Sequence, residues 1–103
     1  MKDLGKLMKQ AQQVQERLAE MQARLAEKTI EASSGGGMVA VVMNGKHEVV
    51  SLKIDPEVVN PADVEMLEDL VIAALSEARG RVDEMISGEM SQLTGGMPFP
   101  GLF

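Results

Sequence analysis

His47 is the one histidine of a chain that contains no cysteine, so the side chains that most often carry chemistry are nearly absent. With no second His and no Cys, neither a metal cage nor a His-based triad can be assembled. Ser33, Ser34, Ser51, Ser76, Ser87 and Ser91 stand without a nucleophile elbow around any of them. Asp63, Glu65, Glu68 and Asp69 crowd together and suggest a metal site or an acid/base pair. They follow Asn60-Pro61, however, an N-cap residue and a residue suited to the first helical position, and negative charge suits the start of a helix. Gly35-Gly36-Gly37 invites a phosphate-loop reading. No Lys-Ser or Lys-Thr pair follows it and the loop leads into a strand, so it reads as a turn. The nine methionines fall at core spacing and read as packing. No active site emerges, and the expectation is a chain that is not an enzyme, with no cofactor, no metal and no small-molecule substrate.

The basic residues are the remaining candidates. Lys2, Lys6 and Lys9 fall near one another at the start of the chain, and Arg17 and Arg24 follow at one heptad spacing on a flanking line. Glu16, Glu20 and Glu27 interrupt the stripe. Two readings fit it: a solvated helix face, or a face that meets phosphate. The net charge of −6 weighs against nucleic acid, but it is unevenly placed: residues 1–28 carry +2, residues 29–59 carry −2, and residues 60–103 carry −6. An acidic protein with one basic segment can bind a polyanion locally. Phe99 and Phe103 are the only aromatics, so stacking platforms for single-stranded nucleic acid are missing.

The elements that must position these residues follow from periodicity. Leu4, Leu7, Ala11, Val14, Leu18, Met21 and Leu25 step by 3 and 4 alternately, an a/d seam on a long helix whose N-cap is Asp3. The seam packs either on the chain's own sheet or on another helix or chain, and its length favours the second. Lys28 to Ser33 reads as an edge strand. Asn44-Gly45 between two β-branched runs predicts a type I′ hairpin with a two-residue loop, which sets Met43 opposite Lys46, Val41 opposite Glu48 and Val39 opposite Val50. Val39, Val41, Met43, Val50, Leu52 and Ile54 then share one apolar face. A second helix starts at the Asn60 cap, with a buried stripe of Val64, Leu67, Val71, Ala74, Leu75, Ala78, Val82, Met85 and Ile86. Gly80 and Gly88 each cost it about 1 kcal/mol relative to Ala. The fold class is α+β: a long N-terminal helix, a three-stranded antiparallel sheet with the Asn-Gly hairpin, and a long C-terminal helix, in one domain over residues 1–94. A flexible Gly/Pro-rich tail is expected over residues 95–103. There is no signal peptide and no apolar run that spans a bilayer, so the expected location is cytoplasmic, with no membrane partner.

Leu7-Met8-Lys9-Gln10-Ala11-Gln12-Gln13, Asn44-Gly45, Ile54-Asp55-Pro56 and Glu65-Met66-Leu67-Glu68-Asp69-Leu70-Val71 together closely resemble the YbaB/EbfC family of bacterial nucleoid-associated proteins. The likeness runs from about residue 4 to the tail. It implies a homodimer with sheet and helix at the interface, helical arms that hold duplex DNA like tweezers, little sequence preference, no catalysis and a place in the nucleoid. Lys9 lies inside the matching motif. Lys6, Arg17, Arg24, Arg79 and Arg81 occupy helix positions where such proteins tend to be basic or polar, whereas Gly80 stands where Ala or a longer residue is expected. With Lys2 these make up the candidate DNA contacts, and Leu4, Leu7, Val14, Leu18 and Met21 the candidate dimer interface. The competing reading is a dimeric protein-interaction adaptor near replication or repair machinery, in which the basic residues only solubilise.

Overall fold

A run rich in Ala, Gln, Glu, Lys and Leu has high helix propensity, and it forms a single helix, α1 (Lys2–Glu27). Three strands follow, β1 (Thr29–Ser34), β2 (Val39–Asn44) and β3 (Val49–Ile54), and then a second long helix, α2 (Val64–Leu93). This computed structural model describes residues 2–93; the Gly/Pro-rich tail expected over 95–103 lies outside the described residues. The sheet is antiparallel in the order β1-β2-β3, so the architecture is the α+β arrangement that the sequence predicts.

α2 lies across β1 and β2. Ala32, Val39, Val41, Met43, Val58, Ala74, Ala78 and Val82 form the buried core. Ala74 and Ala78 are small enough for the helix to approach the strands closely, and Val39, Val41 and Val82 are fully enclosed. Each such valine contributes about 1.5–3 kcal/mol by leaving water. Val64, placed on the stripe by its spacing, is instead 51% exposed. The helix also starts later than its sequence signal. Asn60 Oδ1 accepts the Ala62 N–H at 3.0 Å and so closes a turn of its own, while Asp63 Oδ1 accepts the Met66 N–H at 3.2 Å and is the true N-cap. Asp3 lies within the first turn of α1.

The hairpin sits where Asn44-Gly45 puts it, but its register departs from the two-residue prediction. Asn44 Oδ1 accepts the N–H groups of Lys46 (2.9 Å) and Glu48 (3.0 Å), and the His47 N–H donates to the Asn44 carbonyl at 3.0 Å. The chain therefore turns over Gly45, Lys46 and His47, with His47 in the left-handed region at φ 62°. A three-residue loop ending in a left-handed residue is a stable alternative to type I′. Alone it would shift the pairing by three and turn β3 over. A bulge between Val42 and Met43 supplies the fourth residue, so Val39 faces Ile54 and Val41 faces Leu52. Beyond the bulge the parity survives and Leu52 and Ile54 stay on the apolar face, whereas Val50, expected on that face, gives way to Val49 opposite Met43 and is 58% exposed.

Gly45 is needed for a reason other than its φ. Its N–H donates to the carbonyls of Leu25 (2.8 Å) and Lys28 (3.1 Å), so the hairpin turn caps the end of α1. A Cβ on Gly45 would lie 2.4 Å from the Leu25 oxygen and 2.7 Å from its Cβ. Met21 and Leu25 are buried at this junction, and the rest of α1 extends away from it. The molecule measures 72 × 22 × 17 Å with a Cα radius of gyration of 19.6 Å, against roughly 13 Å for a compact chain of this length.

Two glycine substitutions test this arrangement. Gly45→Ala is expected to lower stability by about 1–3 kcal/mol, the usual cost of forcing atoms into a packed site. Gly80 lies in open space on α2, so Gly80→Ala is expected to raise it by up to about 1 kcal/mol. Urea unfolding of the two variants beside the unmodified chain measures both signs.

Candidate functional site

At 100° per residue, Lys2, Lys6, Lys9, Arg17 and Arg24 fall within roughly 80° of arc, and the heptad seam is centred about 120° further round α1. Lys6, Lys9 and Arg17 are exposed and make no ion pair among the described residues; Lys2 is the first residue of the helix. Residues 4–15 hold Lys6 and Lys9 and no acid at all. The interrupting carboxylates begin at Glu16, close to where α1 meets the C-terminal part of α2. There Arg17, Glu20, Arg24, Glu89 and Gln92 line one groove. The helix is thus divided into a free, acid-free basic arm and a base of mixed charge.

The seam is bare along the same arm. Leu4, Leu7 and Val14 are 58%, 60% and 55% exposed, Leu18 is half-buried, and Met21 is already buried within the chain. A second bare strip follows from the width of α2. Leu52 and Ile54 point to the same side as the core valines, yet they remain 43% and 37% exposed, and Ile72 beside them on α2 is 61% exposed. Ile54, Leu67, Val71 and Ile72 line an apolar cleft there with Glu68 at its rim.

The other basic candidates are differently placed. Arg81 donates from a guanidinium nitrogen to the Glu31 carbonyl at 2.7 Å and pairs with Glu77 at 3.2 Å. It thereby covers a backbone acceptor on the outer edge of β1. Arg79 is exposed and borders a groove with Met43, His47, Leu75, Ser76 and Asp83. In that groove His47 Nε2 lies 2.8 Å from Asp83 Oδ1. Arg24 stands 3.9 Å from Glu89.

Glu89 itself is absent from the sequence-based candidates. It is buried, with 8% of its surface exposed, and its carboxylate takes the Lys28 ammonium as hydrogen-bond and ion-pair partner. The Lys28 hydrogen bond, joined by the attraction of Lys28 and Arg24, holds the carboxyl below the usual carboxylate range and outweighs the opposing effect of desolvation. The signal that reveals it is phase: Glu89 lies seven residues beyond Val82, on the buried stripe, where an apolar residue is the default. Among the described residues no group of three or more His, Cys, Asp or Glu is placed to hold a metal ion, and no helix is long and apolar enough to cross a membrane.

Comparison with known proteins bears on what such an arm does. The sequence profile described as the YbaB/EbfC DNA-binding family matches residues 1–97. A nucleoid-associated protein of Thermoanaerobacter pseudethanolicus is 52% identical over 101 residues, covering 98% of this chain and 91% of the relative. One from Gluconacetobacter diazotrophicus is 52% identical over 100 residues, covering 97% and 94%. The crystal structure of an uncharacterized protein from Helicobacter pylori superposes with a TM-score of 0.77 at 24% identity, covering 85% of this chain and 92% of that one; this likeness concerns the fold.

Glu89 makes the base of α1 sensitive to acid, with a definite sign. A carboxyl whose folded pKa is depressed stabilises above its unfolded value, near 4.3 for Glu, and that contribution is lost as pH falls through the folded pKa. The unmodified chain is therefore expected to lose stability more steeply than Glu89→Gln below about pH 4.3, the two converging in stronger acid. Urea unfolding across that window checks it; parallel curves would show that the carboxylate charge contributes nothing.

Proposed function

Because the chain belongs to the YbaB/EbfC DNA-binding family, we propose that it binds duplex DNA in the bacterial nucleoid as a homodimer, without catalysis and with little sequence preference. The observation that carries this reading is the acid-free arm. Between Asp3 and Glu16 an extended helix carries Lys and Gln with no acid among them, and so offers a polyanion a local field opposite in sign to the net charge. Lys2, Lys6, Lys9 and Arg17 meet phosphates, which position the protein without reading sequence. Arg79 is a secondary contact. Arg24 and Arg81 have carboxylate or carbonyl partners within the chain and contribute less. With Phe99 and Phe103 as the only aromatics, the chain has little to stack on bases, which fits loose, backbone-directed binding.

The homodimer is supported by apolar surface that the chain leaves uncovered. Leu4, Leu7, Val14 and Leu18 on α1, and Leu52, Ile54 and Ile72 on β3 and α2, are two strips of the kind that soluble monomers rarely expose together. Met21, the other expected interface residue, is buried within its own chain and anchors the end of the seam instead. Pairing two chains presents two arms and doubles the number of phosphate contacts.

Two measurements test the proposal. In sedimentation the chain is expected to run as a dimer at micromolar concentration, and Leu52→Lys with Ile54→Lys, which places charge where apolar contact is expected, to run as a monomer. A compact monomer of the unmodified chain contradicts the dimer. In gel-shift titration, affinity is expected to fall with salt at a log–log slope of about −0.9 per phosphate neutralised. Lys6→Gln, Lys9→Gln and Arg17→Gln combined remove up to around six contacts per dimer and flatten that slope. If the unmodified protein fails to bind duplex DNA even at low salt, the DNA reading falls and a protein-interaction adaptor takes its place.

A further inference from the structure

We infer that Glu89 is a positioning residue: through Lys28 and Arg24 it fixes the direction in which the α1 arm leaves the body. Among the described residues, the arm is joined to the rest of the chain at its last turns alone. Met21 and Leu25 supply apolar contact, and the Gly45 N–H caps the helix end. Within one chain, contacts of this kind hold the end of a helix in place while doing little to fix its axis, because apolar packing is not directional. Glu89 supplies what they lack. Arg24 lies in the last turn of α1 and Lys28 just past its end, with the Lys28 N–H donating to the Arg24 carbonyl at 3.0 Å, and one carboxylate on α2 engages both side chains.

Leverage makes the direction matter. From Arg24 to Leu4 the helix runs about 30 Å at 1.5 Å per residue. A swing of about 10° at the base would carry the free end by roughly 5 Å over that length, far beyond what a hydrogen bond tolerates. The arm tip is where Lys6 and Lys9 lie, so an arm of undefined direction could not hold two copies at a fixed spacing along a duplex. A buried carboxylate is a costly way to attach two helices when an aliphatic residue would fill the same space. Its place on the apolar stripe, seven residues beyond Val82, fits a demand for direction more than for strength. The positioning of the arm follows from the fold alone; its consequence for DNA rests on the reading proposed above.

The chain has no cysteine, so spin labels can be attached at Gln10→Cys on the arm and Glu84→Cys on α2 with no background. Doubly labelled chain, mixed into an excess of unlabelled chain, then reports the distance within one chain by pulsed electron resonance. A narrow distribution is expected for the otherwise unmodified chain and a broad one for Glu89→Ala and for the near-isosteric Glu89→Gln. The full exchange, Glu89→Lys with Lys28→Glu and Arg24→Glu, reverses every charge of the cluster and is expected to narrow it again. Unchanged widths in folded Glu89→Ala and Glu89→Gln overturn the proposal, and so does a full exchange that folds but stays broad, since Glu89 would then act by packing alone. Gel shifts on the same variants separate this from the DNA reading. If the unmodified chain binds duplex DNA, Glu89→Ala is expected to bind it several-fold more weakly. Equal or tighter binding by Glu89→Ala would mean that Glu89 merely masks Arg24 and Lys28, and would overturn its positioning role. If no form binds DNA, the DNA reading fails while the distances still decide the clasp.

Discussion

One helix cannot cover three strands. A helix with its side chains is about 10 Å across and neighbouring strands lie about 4.8 Å apart, so α2 spans β1 and β2 and leaves β3 at its flank. The rest of the molecule follows from that mismatch. The valines of β2 are fully enclosed, while Leu52 and Ile54, on the same face one strand away, stay at the surface. The bulge between Val42 and Met43 keeps them facing that way; without it, Ser51 and Lys53 would take their place on the apolar side. β3 thus carries an apolar face that its own chain leaves half finished, and the two edges of the sheet differ in kind. On β1, Arg81 occupies an outward carbonyl, a way of discouraging strand addition.

The same economy shapes the N-terminal helix. Its base is held by a glycine that admits the helix end, two buried apolar residues and one buried carboxylate. Beyond them about two thirds of its length has neither sheet nor helix against it. Charge is sorted along that length. Most of its acids gather near the base, where Arg17 and Arg24 share a groove with Glu20 and Glu89, and between Asp3 and Glu16 the charged residues are Lys6 and Lys9 alone. A net charge of −6 therefore describes the body far better than the arm. The acidic body also limits how strongly the arm can hold a polyanion.

Much of this was legible from residues. The heptad steps from Leu4 to Leu25 located α1, the stripe from Leu67 to Ile86 located the helix over the sheet, and Asn44-Gly45 located the hairpin. Two local misreadings share a cause: an Asn side chain bonding to its own backbone neighbours. Asn44 uses its oxygen to build a three-residue turn, and Asn60 uses its own to close a turn ahead of the helix. Such bonds compete with the patterns that Asn-Gly and Asn-Pro usually signal. Seven basic residues look alike in sequence, and only geometry separates Arg24 and Arg81, which have partners inside the chain, from Lys6 and Lys9, which have none among the described residues. Glu89 passed unnoticed because an acid in an acidic helix attracts no attention until its phase on the stripe is counted.

The central claim is that the α1 arm is the part that lies against duplex DNA, and a photo-crosslinking residue tests it most directly. Placed at Gln13, on the basic side of the arm, it is expected to form a salt-sensitive covalent adduct with a mixed-sequence duplex. Placed at Ser51, on the outer face of the sheet, it is expected to form none. Adducts from Ser51 but not from Gln13, or no adduct from either under conditions where the protein shifts the duplex on a gel, would contradict the account.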